Sequence, residues 1–346
     1  MLQLGKSDIF ISPLIVGSWP FGGGDYWGAK SQQDVNNVVA AALDMGVNTF
    51  DTAEVYNNGA SERSLGLALK GCREKAVVIS KISPSNGRFV RQHCVESLQR
   101  LGMDYLDVYM IHWPINTLAV KHFTSDITII ESPPTIEDTC RQLDELKKEG
   151  LIRSIGISNF GRIQMEEVAA IGVRIDVNEL TYNIVSRAIE AEIAPHCIEH
   201  NISIIGSMGL QQGLLAGIYT TADDVPKYQA HSRHFAQHRG KETSRHYEAG
   251  AEAEIFEVLN HLRKIAVDLN ISVAQLSIAW ILKKPFIAST LVGTCNIDNL
   301  KLNVEACMLN LPNEVEALID KISLPALEKL GNSPDYYEHR SKSRSF

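Results

Sequence analysis

Short runs of β-branched and aliphatic residues alternate along the chain with longer stretches in which apolar positions recur every three or four residues. The short runs predict strands over Leu14–Gly17, Thr49–Asp51, Val77–Lys81, Leu106–His112, Ile152–Ser158, Asp176–Glu179, Ile202–Ser207 and Ile287–Val292. The longer stretches predict helices over Gln33–Met45, Glu62–Lys70, Val90–Leu101, Ile136–Glu149, Gln164–Ile171, Glu190–His200 and Glu252–Leu269. In the first of these, Val35, Val38, Val39 and Ala42 share one helical face. Gly46, Gly102, Gly150 and Asn201 stand where helices end.

Strands followed by helices from end to end predict an α/β fold, a (β/α)8 barrel made as one domain over residues 1–346, with a core of about 1–323 and a tail over 324–346. A doubly wound open sheet competes, but its GxGxxG turn is missing. The cluster Gly22–Gly24 runs into Asp25, Tyr26 and Trp27 and reads as a flexible loop. Two connections, Ile115–Pro134 after the fourth strand and Gly209–Gly250 after the seventh, exceed simple turns and are expected to carry function. The tail is polar and ends in SKSRSF, so its last residues are expected to be mobile.

Composition narrows the partners. Thirty-three basic against 41 acidic residues give a net charge of −8, which argues against nucleic acid or an anionic membrane. The six cysteines are scattered without a CxxC pair, as expected of reduced thiols. The N-terminus lacks the pattern of a signal peptide, and no apolar run approaches the ~20 residues of a membrane span. A soluble, cytoplasmic protein is expected; a homo-oligomer is left open. His231, His234 and His238, and His196 and His200, have ligand-like spacing without the accompanying residues of a zinc site, so no metal is expected.

The chemistry-bearing residues stand at strand ends. Asp51 and Tyr56 lie in FDTAEVY, Lys81 in VVISKI and His112 in DVYMIHWP. A parallel barrel gathers the C-terminal ends of its strands on one face, so these four residues are expected to converge. A lysine buried there needs an acidic partner, and Asp51 is the candidate.

The segments NTFDTAEVYNNGASERSLGLAL, VVISKI, DVYMIHWP, IRSIGISNF, DVNELTYN and QQGLLAG resemble, in order and spacing, those of the aldo-keto reductases over about residues 1–320. The resemblance implies a barrel that binds NADP or NAD in extended form. It makes Tyr56 the general acid/base, Lys81 and Asp51 the pair that tunes it, and His112 the group that orients a carbonyl. It further implies cofactor contacts from Gly17, Ser18, Trp19, Asp51, Ser158, Asn159, Glu179, Ser207, Gly213, Leu214, Leu215, Gly293, Cys295, Asn299 and Asn303. NADP is the family's usual cofactor. Three positions depart from the family pattern: Glu179 replaces a glutamine, Ser207 an aromatic residue, and Cys295 an arginine or hydroxyl residue that would meet the 2′-phosphate of NADP. The last tilts the reading toward tolerance of NAD, while Lys301 or another cation could meet the phosphate instead, so both cofactors stay open.

The physical logic agrees with these roles. A carbonyl that receives hydride becomes an alkoxide and needs a proton. A phenol beside an ammonium is a stronger acid, and an imidazole N–H steadies the oxygen. Trp19, Phe21, Tyr26, Trp27 and Trp113 are expected to form a wall of flat rings suited to sugars or aromatic carbonyls. The seventh connection carries His231, Arg233, His234, His238, Arg239, Lys241, Arg245 and His246. This basic island reads either as a solvated loop or subunit contact, or as one or two arginines among Arg233, Arg239 and Arg245 that close over an anionic substrate or the cofactor phosphates. The expected activity is reversible hydride transfer to a small polar carbonyl, a sugar or polyol first. A nicotinamide-binding regulatory protein with little turnover, and a Schiff-base enzyme using Lys81, stand as alternatives.

Overall fold

A computed structural model describes all residues except 241–242. A hairpin of β1 (Leu2–Gln3) and β2 (Phe10–Ile11) precedes a closed parallel barrel. Its strands are β3 (Leu14–Gly17), β4 (Thr49–Asp51), β5 (Val77–Ile82), β6 (Leu106–Ile111), β7 (Ile152–Ser158), β8 (Val177–Thr181), β9 (Ser203–Ser207) and β10 (Ile287–Val292). They follow one another around the barrel in chain order, and β10 closes it against β3. Side chains alternate across each strand. Ile15, Ile79, Val108, Met110, Val177 and Ile205 fill the interior, and Leu4, Ile9 and Ile11 from the hairpin segment plug its lower end. The opposite set packs outward against the helices.

The helices form where period and caps agree. Ser31 and Thr135 accept backbone N–H groups at the starts of Gln32–Asp44 and Ile136–Lys148. Gly102 and Asn201 end their helices at left-handed φ of 65° and 56°. Gly66 lets Ala60–Ala68 lie directly on the end of Val90–Leu101, since a Cβ there would stand 2.1 Å from Leu101 O. No single helix is long and apolar enough to cross a membrane.

Several expectations need correction. Among the helices not expected, the three longest are Val273–Lys283, Ile297–Ala306 and Asn313–Ile322, and the connection Ile115–Pro134 carries two short ones, Thr117–Phe123 and Ile127–Glu131. Val273–Lys283 is apolar on every side, with Leu276, Ile278, Trp280 and Ile281 all buried, and so presents no periodic stripe. The sixth barrel strand runs over Val177–Thr181, two residues past the expected end, while Asp176 just before it accepts from Ser154 Oγ at 2.7 Å and pairs with Arg174. The glycine cluster does run into a helix, a single turn over Gly24–Trp27.

The largest correction concerns the tail, which is ordered. It forms a helix over Leu324–Leu330 and then returns across the barrel mouth. Arg344 and Ser345 end almost fully buried. The composition is polar because these side chains are satisfied by other polar groups of the chain rather than by water.

Candidate active site

Asp51 closes β4, and the chain turns through Tyr56 before the helix Ala60–Ala68. Lys81 lies one strand over near the end of β5, and His112 follows β6, its N–H donating to Ile82 O at 2.9 Å. The barrel therefore gathers the four side chains as expected. Lys81 Nζ donates to Asp51 Oδ1 and Oδ2 at 2.6 and 2.5 Å, to Thr52 O at 3.2 Å, and to Tyr56 OH at 3.4 Å. Tyr56 and His112 meet edge to face, with ring centroids 5.5 Å apart.

Glu179, near the end of β8 across the barrel, adds a second carboxylate. Its Oε2 stands 3.4 Å from Lys81 Nζ and accepts no hydrogen bond, although the residue is only 5% exposed. One ammonium thus faces two buried carboxylates. Burial works against the Lys81 charge, but Asp51 and Glu179 outweigh it and raise the pKa above the ordinary value. Burial, and then Glu179, raise Asp51 well above the usual carboxylate range despite Lys81.

Burial also governs Tyr56. It pushes the phenol up further than the Lys81 charge pulls it down, the reverse of the net acidification expected from sequence. Burial, aided by Lys81, His122 and Arg344, pushes His112 well below its ordinary value. Tyr56 is therefore a protonated phenol at neutral pH and His112 a neutral imidazole.

A cavity of about 570 Å3 opens over this group. Trp19 lies between two parallel rings, Tyr26 at 5.1 Å and Tyr56 at 5.8 Å. Tyr228 and Tyr337 add further rings, and His122, His231, Arg245 and Arg344 add nitrogen donors and acceptors. Sequence reasoning missed the residues brought by the tail. Tyr337 and Arg344 lie more than 200 positions from His112 in the sequence, and no local pattern marks them. Ser345 Oγ donates to Asn159 O at 2.5 Å, so the tail also braces the end of β7.

Other expected substrate residues lie elsewhere. Phe21 is packed into the core. Arg233 points inward, and its guanidinium donates to Leu330 O and Ser333 O at 2.6 and 2.8 Å. Arg239 pairs with Asp223 and Glu252. Arg233 and Arg239 are thus taken up by partners within the fold and do not line the cavity. The island's arginines mostly fasten loop and tail together, and Arg245, bonded to Glu338 at 2.6 Å, is the arginine among them that reaches the cavity. Lys241 falls outside the described residues.

A second crevice, about 500 Å3, adjoins the first along Gly17, Trp19, Met208 and Leu291. Gly17 keeps this junction open, because a Cβ there would stand 2.6 Å from Leu291 Cδ2. Gly213, Gly293, Asn299 and Asn303 line the crevice, whereas Ser158, Asn159, Glu179 and Ser207 line the first cavity. Ser18, Leu214 and Leu215 are buried behind the walls; Ser18 Oγ instead holds Asp51 O at 2.7 Å. Cys295 is half-buried and stands off the wall, next to Thr294, which lines it. No lysine or arginine among the described residues lines this crevice. Met208, held at a left-handed φ of 58°, faces both spaces beside Ser207.

Two buried donors in residues on this crevice, Trp27 Nε1 and Gln212 Nε2, have no partner. Tyr26 OH donates to Gln212 Oε1 at 2.8 Å and ties the first loop to the seventh. Together with the unpartnered Glu179 oxygen, these groups are a donor and acceptor set laid out along one continuous cleft. They fit an extended dinucleotide, with an amide at the tyrosine end and phosphates further out.

The sequence profile of the Aldo/keto reductase family matches residues 13–324. The NADH-specific methylglyoxal reductase of Escherichia coli is 30% identical, covering 95% of this chain and 99% of its own. A probable voltage-gated potassium channel subunit beta of Oryza sativa is 29% identical over 96% of this chain and 98% of its own. The glycerol dehydrogenase of Gluconobacter oxydans superposes with a TM-score of 0.75 at 24% identity, covering 96% of both chains.

Proposed function

We propose that this chain, which belongs to the aldo/keto reductase family and is an NAD(P)-dependent oxidoreductase, interconverts a small polyhydroxylated carbonyl compound and its alcohol with NAD(H) as the preferred cofactor. The observation that carries the reading is the contact of Tyr56 OH with Lys81 Nζ, 3.4 Å apart, where Tyr56 lines the cavity that the second crevice adjoins.

The nicotinamide supplies or accepts the hydride. The remaining chemistry falls to side chains of this protein. Tyr56, a protonated phenol, passes its proton to the oxygen that gains charge in reduction. Lys81 stabilises the phenolate left behind, and Asp51 keeps the ammonium charged and aimed. His112, neutral and facing the same cavity, donates one N–H to the carbonyl oxygen. Ser158, Asn159 and Glu179 hold the carboxamide. Met208, which lines both spaces beside the small Ser207, would pack against the bound cofactor, and Trp27 and Gln212 would supply N–H groups to its phosphates.

The substrate class follows from the rings. Tyr26, Trp113, Tyr228 and Tyr337 bring flat apolar rings to the cavity for C–H groups, Trp19 backs Tyr26 and Tyr56, and hydroxyl, imidazole and guanidinium groups stand between them for hydroxyls. Sugars and polyols present both. The methylglyoxal chemistry in a relative's name supports a small carbonyl compound. The preference for NAD rests on the absence of any cation among the described residues of the outer crevice, where a 2′-phosphate would need one. A Schiff base at Lys81 is disfavoured, because its nitrogen is fully buried, protonated and paired with carboxylates.

Nicotinamide absorbance, followed with both cofactors against a panel of aldoses, ketoses, hydroxyaldehydes and polyols, tests the proposal. NADH-dependent turnover that disappears in Tyr56→Phe supports it. Turnover retained in that variant, or absent across the panel, overturns it.

A further inference from the structure

Lys81 carries one positive charge, and two carboxylates converge on it. Asp51 Oδ2 stands at 2.5 Å and Glu179 Oε2 at 3.4 Å from the same nitrogen. Of the other charged or titratable groups lining this cavity, Arg245 and Arg344 are each matched by a tail carboxylate, Glu338 and Asp335, burial lowers His122 and His231, and the two that stand against the cluster are Tyr56 and His112. Both are neutral at neutral pH, because burial raises the phenol and lowers the imidazole. With both acids ionised, the cluster therefore holds one negative charge more than it neutralises.

That charge is almost wholly removed from water. Glu179 is 5% exposed, Asp51 1% and Lys81 0%, and the Glu179 oxygen nearest the ammonium accepts no hydrogen bond. An uncompensated buried carboxylate is costly. Two things relieve it: a proton held on one of the acids, or a cation in the cavity that Asp51 and Glu179 both line.

The nicotinamide ring is a cation when oxidised and neutral when reduced, at nearly constant shape. We propose that Glu179 makes this site distinguish the redox states of its cofactor. The empty or NADH-loaded site keeps one proton at Asp51, beside Glu179, and the oxidised ring displaces it. Charge and proton then balance: protonated enzyme plus NAD+ gives the enzyme–NAD+ complex plus one free proton, with no covalent change. NAD+ affinity therefore rises with pH, whereas NADH affinity does not. A glutamine at position 179 keeps the size and the acceptor oxygen but removes the charge, and with it the discrimination. The inference rests on the nicotinamide reading above and adds the redox state that the site selects.

Binding without turnover tests it. The four tryptophans include Trp19 and Trp27 on the cofactor cleft, so nucleotide binding is read from their quenching. From about pH 6 to about pH 8, Kd for NAD+ is expected to fall by up to about tenfold per unit, with Kd for NADH flat. Calorimetry in buffers of different ionisation enthalpy is expected to find close to one proton released with NAD+ and none with NADH.

In Glu179→Gln the proton release disappears, and the ratio of the two Kd values moves about tenfold toward NADH, equivalent to about 1.4 kcal/mol. Identical pH courses for the two nucleotides in the wild type, or an unchanged ratio in a Glu179→Gln protein that still binds NADH, overturn the inference. If that variant does not fold, the wild-type proton count decides by itself. Failure of both nucleotides to bind the wild type overturns the nicotinamide reading instead, and this inference with it.

Discussion

The guanidinium of Arg344 lies 3.7 Å above the ring of Trp113, held there by Asp335, which accepts from its Nε and Nη2 at 2.7 and 2.8 Å. Both charged groups are almost fully buried. Through this pair the last residues of the chain become a wall of the cavity. Arg344→Ala leaves Asp335 buried and unpaired, at about 3–5 kcal/mol. The expected outcome is a lower melting temperature and a KM raised more than kcat is lowered. Replacing both residues, Asp335→Asn with Arg344→Met, is expected to recover stability but not KM. Thermal melts and steady-state kinetics on the two variants separate the effects.

Tyr56→Phe removes the proton and little else, since the ring still packs against Trp19. Its kcat is expected to fall by about two to four orders of magnitude. Kd for NADH should stay within about twofold, because no cofactor contact is assigned to the hydroxyl. Single-turnover absorbance and fluorescence titration give the two numbers.

The raised phenol and lowered imidazole set the pH dependence. Reduction needs the phenol protonated and the imidazole neutral, and both conditions hold through neutrality. Reductive kcat is therefore expected to be flat from about pH 6 to about pH 8, without a limb at the ordinary imidazole value. Oxidation needs the phenolate, so kcat for the alcohol at saturating NAD+ is expected to climb with pH across the same range. Paired profiles on one substrate couple test this; an acid limb in reduction would assign His112 a titrating role.

Buried imidazoles also predict loss of stability in acid. Burial, with Arg233 nearby, lowers His234 from 6.5 to about 3, while His122 and His246 are lowered to about 4. The unfolded chain binds these protons first. The stability is fully present above the unfolded value and is lost as pH falls from about 6.5 toward the folded values. At about 1.4 kcal/mol per unit, His234 alone accounts for several kcal/mol. His234→Gln should lower stability at neutral pH and flatten its decline in acid, as read by urea melts across that range.

Cofactor choice is open to a gain-of-function test. Cys295 sits near the outer crevice beside Thr294, which lines it. Cys295→Arg is expected to raise kcat/KM for NADPH relative to NADH by about tenfold or more, the scale of one new charge-assisted pair with phosphate. An unchanged ratio would place the 2′-hydroxyl away from this residue.

The sequence by itself determined the barrel and its four convergent side chains. Strand periodicity is local, and a parallel barrel brings strand ends together whatever the loops do, so Asp51, Lys81 and His112 were legible at the ends of their runs, and Tyr56 in the turn after Asp51. The helix Val273–Lys283 was not, because burial on every side erases the stripe by which a helix is read. Tertiary structure alone decided that Glu179 reaches Lys81 across the barrel, that Arg233 turns inward to the tail, and that Arg344 stacks on Trp113. A charged side chain goes where its counter-charge and hydrogen-bond partners are. For these residues the partners lie about 100 positions or more away in the sequence, or inside a chain segment whose composition suggests only solvent.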